Sequence, residues 1–337
     1  MPLISTTGGR QFFATDGQSL LDAALEANVA LGYSCRTGRC SSCKSRVRSG
    51  STTALHCETG LTDEEREAGW ILSCVRSATS DVSIEVEELG DAPKKPIRTW
   101  PCRIDSIELL TPDVVKVRLR LPAATAFDFI PGQYVEVIGH GGLRRSYSLA
   151  SAPMLGQPIE LHVRRVSDGA MSRYWFEQAK TNDLLRLKGP LGTFFLRGDE
   201  GVDLVFLATG TGIAPIKAML EGLNASPDLR LRSLAVYWGG RSPSDVYWQP
   251  PMTAVQMRFV PVLSRADESW AGARGHVQDV FLKERPELQR AVVYACGSDV
   301  MIRSARQRLV SAGLPERRFY SDSFVCSAPV GDKGDCK

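Results

Sequence analysis

Apolar residues in the first 90 positions are spaced partly like strands and partly like helices. Residues 4–13 predict a hairpin, and residues 82–86 alternate as a single strand. Between them, Ser19 and Thr62 each begin a capping-box pattern, which predicts that a helix follows each residue. A hairpin, helices and a returning strand together predict a small β-grasp domain over residues 1–90.

Between residues 99 and 198 the apolar residues come in short alternating runs that glycine and proline separate. Runs of this kind predict the strands of an antiparallel β-barrel domain. The segment 91–98 has prolines, lysines and no apolar period, so it predicts a linker in front of this domain. The predicted barrel strands cover residues 102–109, 114–121, 133–138, 146–150, 159–166 and 184–187.

From residue 199 the pattern changes to buried strands that alternate with helices. This alternation predicts a parallel α/β domain over residues 199–326, so the fold class is a multidomain chain of α+β and α/β parts. Residues 327–337 follow as a tail that we expect to be disordered. The predicted strands are 203–208, 231–238, 257–263 and 291–295, and the predicted helices are 214–223, 277–283 and 300–312.

Length, charge and targeting signals exclude some functions. The chain has 337 residues, 43% of them apolar, which is enough for two or three domains with hydrophobic cores. Its 41 basic and 38 acidic side chains give a net charge of +3, which offers no argument for binding nucleic acid or a membrane surface. No apolar run approaches the ~20 residues of a membrane span, and no apolar leader follows Met1. We therefore expect a soluble cytoplasmic protein, and we separately expect it to be a monomer.

Four of the nine cysteines carry the most specific chemical signal in the chain. Cys35, Cys40 and Cys43 have the spacing Cys-x4-Cys-x2-Cys, and Cys74 follows at a distance. This is the plant-type spacing for a [2Fe–2S] cluster, and thiolates are soft ligands that suit its iron atoms. Gly38 inside the loop would permit a close backbone approach and direct N–H groups toward the cluster.

Two other uses of these cysteines stay open at this point. Structural zinc prefers two close cysteine pairs, whereas this chain has three close cysteines and one remote cysteine. A disulfide framework is disfavoured by the odd cysteine count and by the missing export signal. Cys296 is set apart because it ends a predicted strand before a glycine. The other cysteines are expected to be small core or surface residues: Cys57, Cys102, Cys326 and Cys336.

Polar residues on the fourth predicted barrel strand could bind a flat ligand that carries phosphate. Arg145 can neutralise phosphate, Tyr147 can stack on a ring, and Ser148 can hydrogen-bond a ring nitrogen. Further along, residues 169–172 begin a helix, and the N–H groups at a helix start favour phosphate. Taken alone, an ordinary solvated strand and a plain helix-capping turn explain these residues equally well.

The segment Gly210-Thr211-Gly212 lies between a buried strand and a helix. Its glycines would let the backbone approach a pyrophosphate, and Pro215 suits the first helical turn. The segment matches neither the Gly-x-Gly-x-x-Gly nor the Walker signature, and a tight turn without a ligand is the alternative. Small or cationic residues at the following strand ends would line the same crevice: Arg241, Ser264, Arg265, Cys296 and Gly297.

The four spaced cysteines and residues 145–148, 210–215 and 294–297 occur in a specific order. In that order they resemble the ferredoxin–NAD(P)H reductase superfamily with an N-terminal plant-type [2Fe–2S] ferredoxin domain. The resemblance spans nearly the whole chain, to about Phe324. Two branches fit: the reductase components of bacterial multicomponent oxygenases, and the CDP-6-deoxy-hexulose (glucoseen) reductases of deoxysugar synthesis. Residues 237–240 and 294–298 are similar to the sugar branch, although oxygenase reductases share much of both stretches.

The resemblance implies three cofactors: a [2Fe–2S] cluster, FAD in the barrel domain and NADH or NADPH in the α/β domain. It implies that Arg145 binds the flavin phosphate, Tyr147 stacks on the isoalloxazine and Ser148 faces its reactive nitrogen. Ser148, Cys296 and Phe324 are the expected catalytic residues, with Phe324 covering the flavin unless it is a plain core aromatic. The resemblance assigns further residues to the flavin (Ser146, Arg164, Gly169, Met171, Ser172) and to the dinucleotide (Gly210, Thr211, Gly212, Pro215, Arg241, Ser264, Arg265, Cys296, Gly297).

The same resemblance implies that electrons pass from NAD(P)H through FAD and the cluster to a partner protein. The expected partner is the oxygenase component of a ring-hydroxylating oxygenase, and the alternative is a sugar-deoxygenating dehydrase. A redox-sensing module without turnover is disfavoured, since three cofactor sites exceed what a sensor needs. NADH is favoured over NADPH, although Arg241 and Arg265 could reach a 2′-phosphate. Ser41 stands where the family loop usually has glycine, and this departure removes no ligand.

Overall fold

The computed structural model describes residues 1–89, 95–123, 125, 127–198, 200–225, 230–251, 257–284 and 286–324. These residues form two compact units, one of residues 1–89 with the short stretch 322–324, the other of residues 95–321. The predicted tail and residues 91–94 of the predicted linker lie outside the described residues. Among the described helices, none is both long and apolar enough to span a membrane.

The first unit is a five-stranded sheet with a two-stranded ribbon beside it, as expected for a β-grasp domain. The sheet order is β2-β1-β7-β3-β5, and β4 pairs with β6 in the ribbon. Its elements are β1 (Leu3–Thr6), β2 (Gln11–Phe13), α1 (Leu20–Glu26), β3 (Lys44–Ser49), β4 (Thr52–Ala54), α2 (Asp63–Glu67), β5 (Trp70–Leu72), β6 (Arg76–Ala78) and β7 (Val82–Glu85).

Local sequence explains the helices of this unit. The Ser19 hydroxyl accepts a hydrogen bond from the Asp22 N–H and begins α1. Thr62 and Glu65 form the predicted capping box at the start of α2. The predicted hairpin and the predicted strand over residues 82–86 are both present, and β7 lies parallel to β1.

The first half of the second unit is a six-stranded antiparallel barrel with the order β11-β10-β13-β8-β9-β12. All six predicted strands are present, and a bridge between Leu149 and Leu161 joins the two ends of the sheet. The first strand is longer than predicted because it pairs with neighbours on both sides. The elements are β8 (Arg98–Thr111), β9 (Val114–Arg120), β10 (Tyr134–Ile138), β11 (Arg144–Ser148), β12 (Ile159–Arg164), α3 (Ala170–Arg173) and β13 (Leu184–Leu191).

The second half of this unit is a six-stranded sheet with the order β17-β16-β15-β14-β18-β19. The strands from β17 to β18 in this order run parallel, and the predicted strands and helices are all present. The pattern missed β17 and β19, because β17 is only two residues long and β19 lacks a continuous apolar run. The elements are β14 (Asp203–Thr209), α4 (Ile213–Ala225), β15 (Ser233–Gly240), β16 (Arg258–Leu263), β17 (Ala273–Arg274), α5 (Val277–Lys283), β18 (Ala291–Ser298), α6 (Asp299–Ser311) and β19 (Phe319–Phe324).

Candidate functional site

Sheet register carries the remote Cys74 back to the cysteine loop. Strand β3 begins directly after Cys43 and pairs with β5, whose last residue stands two positions before Cys74. Ser73 then donates hydrogen bonds from its N–H (3.1 Å) and its hydroxyl (3.0 Å) to the Cys43 carbonyl. The fold therefore fixes Cys74 beside the loop, although 30 residues separate Ser73 from Cys43.

Backbone N–H groups point at the sulfur atoms of the loop. The Cys35 N–H donates to the Cys40 Sγ at 3.3 Å, and the Thr37 N–H donates to the Cys35 Sγ at 3.4 Å. Gly38 has a left-handed φ of +74°, and a Cβ added there would overlap the Cys57 carbonyl oxygen. The glycine is thus needed both for its conformation and for the space that it leaves.

The four thiols form two interacting pairs. A hydrogen bond from the Cys40 thiol lowers the pKa of Cys35 to about 5, although burial acts in the opposite direction. The Cys43 thiol likewise lowers the pKa of Cys74, while the pKa values of Cys40 and Cys43 are raised by the hydrogen bonds to their partners and by burial. Because [2Fe–2S] clusters of this type are held by four cysteine thiolates, this set of four thiols in two pairs fits such a cluster.

Ser41 shows how the loop accommodates a residue other than glycine. Its φ is +61°, a left-handed value that costs a residue with a Cβ some energy. Its hydroxyl donates a hydrogen bond to the Gly60 carbonyl, and the Gly60 N–H in turn donates to the Gly38 carbonyl at 2.9 Å. The hydroxyl therefore ties the cysteine loop to the segment that covers it.

Glu58 is a residue near the cluster that the sequence analysis did not identify. Its buried carboxylate accepts hydrogen bonds from the Leu72 N–H at 2.6 Å and from the Arg76 guanidinium at 2.7 and 3.0 Å. These two residues flank the turn that holds Cys74. A carboxylate between two regions that are distant in the sequence leaves no local pattern, so only the fold reveals this brace.

Four of the predicted flavin residues lie on β11, and the others include Arg164 at the end of β12 and residues 169–172 at the start of α3. The phenol of Tyr147 accepts a hydrogen bond from the Trp175 indole N–H at 3.0 Å, and burial raises the pKa of this phenol. Arg145 lies two residues earlier and is half-buried, whereas Ser148 is buried. Strand alternation puts Arg145 and Tyr147 on the same face of the strand, as joint contact with one ligand requires.

The side chains at the turn before α3 hydrogen-bond or pack within the protein. Gly169 is the residue before the helix, and a Cβ there would lie 3.1 Å from the Val166 carbonyl oxygen. The Ser172 hydroxyl accepts a hydrogen bond from the Val166 N–H at 2.9 Å, and Met171 is buried in the barrel core. The backbone of this turn, more than its side chains, is therefore available to a phosphate. Ser146, on the other face of β11, is exposed.

The turn Gly210-Thr211-Gly212, named the nucleotide turn for its predicted role, depends on two glycines whose lack of a side chain permits close contact with neighbouring groups. Gly210 has a φ of +54°, and its carbonyl accepts a hydrogen bond from the Trp238 indole N–H at 2.9 Å. A Cβ on Gly212 would overlap the carbonyl oxygen of Cys296 at the end of β18. The turn and the neighbouring strand end are thus in backbone contact, and Pro215 lies in the first turn of α4 as predicted.

Gly297 completes the close packing at this edge of the sheet. Its φ is +136°, and a Cβ there would overlap the side chain of Thr209. The Thr209 hydroxyl accepts a hydrogen bond from the Ser298 N–H at 3.1 Å. Cys296 itself is fully buried in the sheet core, so its predicted contact with a nicotinamide stays a prediction.

Arg241, Ser264 and Arg265 lie together at the carboxyl ends of β15 and β16. The Ser264 N–H donates to the Gly240 carbonyl at 3.0 Å, and the Arg265 N–H donates to the Arg241 carbonyl at 2.9 Å. Asp245 fixes this edge by accepting the Arg241 N–H at 2.7 Å. The capping pattern Ser242-Pro-Ser-Asp245, which the sequence analysis did not use, could have identified Asp245.

Arg164 and Phe324 are the two remaining residues that the resemblance assigned to the flavin. The Arg164 guanidinium is positioned against the nucleotide turn, since a Cβ on Gly210 would lie 2.6 Å from its Nη1. Phe324 ends β19 and is 37% exposed. Contact of either residue with FAD remains a prediction.

A cavity of about 1120 Å³ opens on the barrel half of the second unit. Its lining includes Arg120, His140 and Leu155 but none of the described residues that were predicted to bind FAD. The candidate site therefore consists of the β11 side chains and the backbone of the turn Gly210–Gly212, and not of this cavity.

Three family models match consecutive parts of the chain. The 2Fe-2S iron-sulfur cluster binding domain matches residues 5–79, and the oxidoreductase FAD-binding domain matches residues 101–196. The oxidoreductase NAD-binding domain matches residues 206–307. These ranges contain the four cysteines, the β11 residues and the nucleotide turn, respectively.

Several known proteins are similar to almost the whole chain. The CDP-6-deoxy-L-threo-D-glycero-4-hexulose-3-dehydrase reductase of Yersinia pestis is 42% identical over 323 residues, which cover 94% of this chain and 96% of that protein. The terephthalate 1,2-dioxygenase reductase component 1 of Comamonas sp is 33% identical over 328 residues, covering 95% and 96%. The crystal structure of the Amycolatopsis cytochrome P450 reductase GcoB superposes with a TM-score of 0.75 at 28% identity, covering 97% and 100%.

Proposed function

Because the chain belongs to the ferredoxin–NAD(P)H reductase superfamily with an N-terminal [2Fe–2S] domain, we propose that its electron acceptor is a CDP-6-deoxy-hexulose 3-dehydrase. The chain is an NAD(P)H-dependent oxidoreductase that passes electrons through FAD and the cluster to a partner protein. The observation that supports this partner is the 42% identity to the Yersinia pestis dehydrase reductase across both chains.

We propose that residues of the second unit hold the flavin and that residues of the first unit hold the cluster. When bound, FAD accepts two electrons together as a hydride from the nicotinamide, whereas the cluster carries one electron at a time. We propose that Arg145, Tyr147 and Ser148 hold and orient the flavin, with the backbone of the Gly169 turn at its phosphates. Cys35 and its three partner thiols hold the cluster.

The carboxyl edge of the parallel sheet is the proposed dinucleotide site. The turn Gly210–Gly212 would receive the pyrophosphate through its N–H groups. Arg241 and Arg265, whose backbones are joined by a hydrogen bond, add positive charge at the same edge. We propose NADH as the preferred donor, with Cys296 and Phe324 near the nicotinamide and the flavin.

The oxygenase component of a ring-hydroxylating oxygenase, which the sequence analysis expected first, is the second candidate acceptor. It is supported by the 33% identity to the terephthalate dioxygenase reductase component, which also covers both chains nearly completely. Because this identity is lower than 42%, we propose the oxygenase component as the second candidate.

Reconstitution with purified acceptors tests the order of these candidates. The reductase is mixed anaerobically with NADH, the Yersinia dehydrase and its CDP-hexulose substrate, and NADH consumption is followed at 340 nm. We expect consumption that requires both dehydrase and sugar. A parallel reaction in air contains the Comamonas terephthalate oxygenase and terephthalate, and we expect this reaction to be slower. Faster, terephthalate-dependent consumption in that reaction would reverse the proposed order.

We also propose that the reductase acts as a cytoplasmic monomer. Thiolate ligation of the cluster supports a reducing compartment, and the near balance of 41 basic and 38 acidic residues gives no argument for binding nucleic acid. Light scattering during size-exclusion chromatography should give a mass near 36.9 kDa. A mass twice as large would contradict the monomer.

A further inference from the structure

Strand β12 has two chemically different faces. Its odd-numbered side chains are apolar and lie in the barrel core. Its even-numbered side chains are Glu160, His162 and Arg164, and the first two are only 6% exposed. Buried polar side chains need partners, so this face must be matched by another element. The residues that partner Glu160, His162 and Arg164 all belong to the same compact unit as the barrel.

Glu160 contacts the helix that follows the nucleotide turn. One carboxylate oxygen lies 3.1 Å from the Lys217 ammonium on α4. The same ammonium donates to the Ala150 carbonyl at 2.8 Å and to Glu221 at 2.7 Å. Ala150 stands two residues after the end of β11, which carries the proposed flavin residues and is called the flavin strand. Lys217 therefore joins two segments of the barrel to α4, and its side chain is only 12% exposed.

His162 reaches the nucleotide turn through two aromatic side chains. Its Nδ1 lies 3.2 Å from the Tyr247 hydroxyl, and its Nε2 lies 3.0 Å from Glu160. The Tyr247 ring packs edge-on against Trp238, with ring centroids 5.0 Å apart. Trp238 in turn donates the indole hydrogen bond to Gly210 described above.

Arg164 is the third contact from this face. Its guanidinium lies against Gly210 and is 3.7 Å from Asp245, the carboxylate that fixes the edge carrying Arg241. Three successive side chains on one face of a barrel strand thus converge on the elements that carry the proposed dinucleotide site. A strand that only filled the barrel would need none of them.

We propose that the polar face of β12 is a positioning element that holds the nucleotide turn in register with the flavin strand, with the Glu160–Lys217 pair as its main connection. This inference rests on the proposed role of the turn in binding the dinucleotide. Hydride transfer is sensitive to small displacements of the donor relative to the acceptor. A loosened connection should therefore slow the transfer more than it weakens nucleotide binding.

The test uses the full-length holoprotein and the variants Lys217→Met and Glu160→Gln, alone and combined. Anaerobic rapid mixing with increasing NADH separates the apparent Kd from the limiting rate of flavin bleaching. Calorimetry with ADP-ribose, which lacks the nicotinamide, measures binding to the turn independently of any reaction. Arg232→Met removes an exposed ion pair with Glu287 in the same half of the unit and is the matched control.

We expect Lys217→Met to lower the limiting rate roughly ten- to a hundredfold, with the FAD content and the ADP-ribose affinity kept. Glu160→Gln should have a similar effect, and the double variant should lose little more than either single variant, because both act through one contact. Arg232→Met should leave the limiting rate unchanged.

A limiting rate within twofold of the wild type in both single variants would overturn the inference, as would a loss of ADP-ribose affinity equal to the loss in rate. If Lys217→Met loses its FAD, the same criteria apply to Glu160→Gln, which keeps the shape of the side chain. Gly212→Ala separates the two claims, since unchanged ADP-ribose affinity in that variant would contradict the proposed role of the turn itself.

Discussion

The cluster loop and the nucleotide turn are built on opposite principles. In the loop, the proposed function depends on side chains that must be present, because four thiols are the proposed cluster ligands. In the turn and the adjoining end of β18, the proposed function depends on side chains that must be absent, because a Cβ on Gly212 or Gly297 would overlap neighbouring atoms. In the loop, backbone N–H groups point at sulfur atoms of the protein itself, whereas the N–H groups of the turn are proposed to receive a pyrophosphate.

This difference predicts how each region tolerates change. The loop already accommodates Ser41 at a left-handed position, where a hydroxyl hydrogen bond offsets some of the backbone cost. The turn offers no such compensation at Gly212, since the atom that an added Cβ would meet is a backbone oxygen of β18. Substitution of a proposed ligand should therefore remove the cluster from the loop, whereas substitution of Gly212 should disturb the packing at the turn.

The largest effect should follow loss of one cluster ligand. Cys74→Ser replaces a soft thiolate by a poor ligand for iron, so we expect cytochrome c reduction to fall to the background of the assay. NADH–ferricyanide activity, which requires only the flavin, should stay within about twofold of the wild type, because the cysteine lies in the other compact unit. Visible spectra and the two activity assays measure both outcomes.

Cys102→Ser is the matched control for this variant. Cys102 is buried in the barrel, where burial raises the pKa of its thiol to about 12, and it belongs to neither cysteine pair. Its cluster absorbance should be unchanged. Cytochrome c reduction that survives in Cys74→Ser would refute the assignment of the fourth ligand.

The second effect is the overpacking at the nucleotide turn. Gly212→Ala should lower the free energy of unfolding by about 1–3 kcal/mol, the usual cost of forcing an extra carbon into a packed site. It should also weaken ADP-ribose binding by about tenfold, which corresponds to ~1.4 kcal/mol. Thermal unfolding and calorimetry measure the two quantities. Gly139→Ala is the control, because a Cβ there meets nothing nearer than 3.5 Å.

Local patterns allowed much of the architecture and the cofactor motifs to be predicted. Alternation along the barrel strands and the caps at Ser19 and Thr62 are short-range signals, so the corresponding elements are present in the structure. The cysteine spacing predicted a cluster because three ligands lie in one loop. The boundaries of the domains and the roles of the individual site residues stay predictions.

The contacts that hold the sites together could not be predicted in this way. Glu58 meets Leu72 and Arg76 across 14 and 18 residues, and Lys217 meets Ala150 across 67 residues. In the sequence, charged residues such as these cannot be distinguished from residues on a solvated surface, because only the tertiary fold buries them. Arg164 illustrates the same limit, since the role that the resemblance implied for it did not indicate that its side chain lies against Gly210.

Lowering the pH should reduce the stability that the buried Glu160 carboxylate gives to the second unit. Burial raises the pKa of Glu160, but the His162 hydrogen bond and the Lys217 charge more than offset it and lower this pKa to about 2. A lowered carboxyl pKa stabilises the fold above the unfolded value of about 4.3, and this stability is lost as the pH falls toward 2. Between pH 5 and 3, the wild type should lose on the order of 1–3 kcal/mol more than Glu160→Gln in urea unfolding. Equal losses would contradict the contribution of this ionised carboxylate.

The smallest effect concerns Ser41, where the two principles meet in one residue. Ser41→Ala keeps the left-handed strain and loses the hydrogen bond to Gly60, so it should destabilise the first unit by about 0.5–1.5 kcal/mol. Ser41→Gly loses the same bond but removes the strain, so its stability should lie above that of Ser41→Ala by about 1 kcal/mol. Thermal loss of the cluster absorbance ranks the variants. If alanine equals glycine, backbone strain at residue 41 has no energetic weight, and the loop depends on its side chains alone.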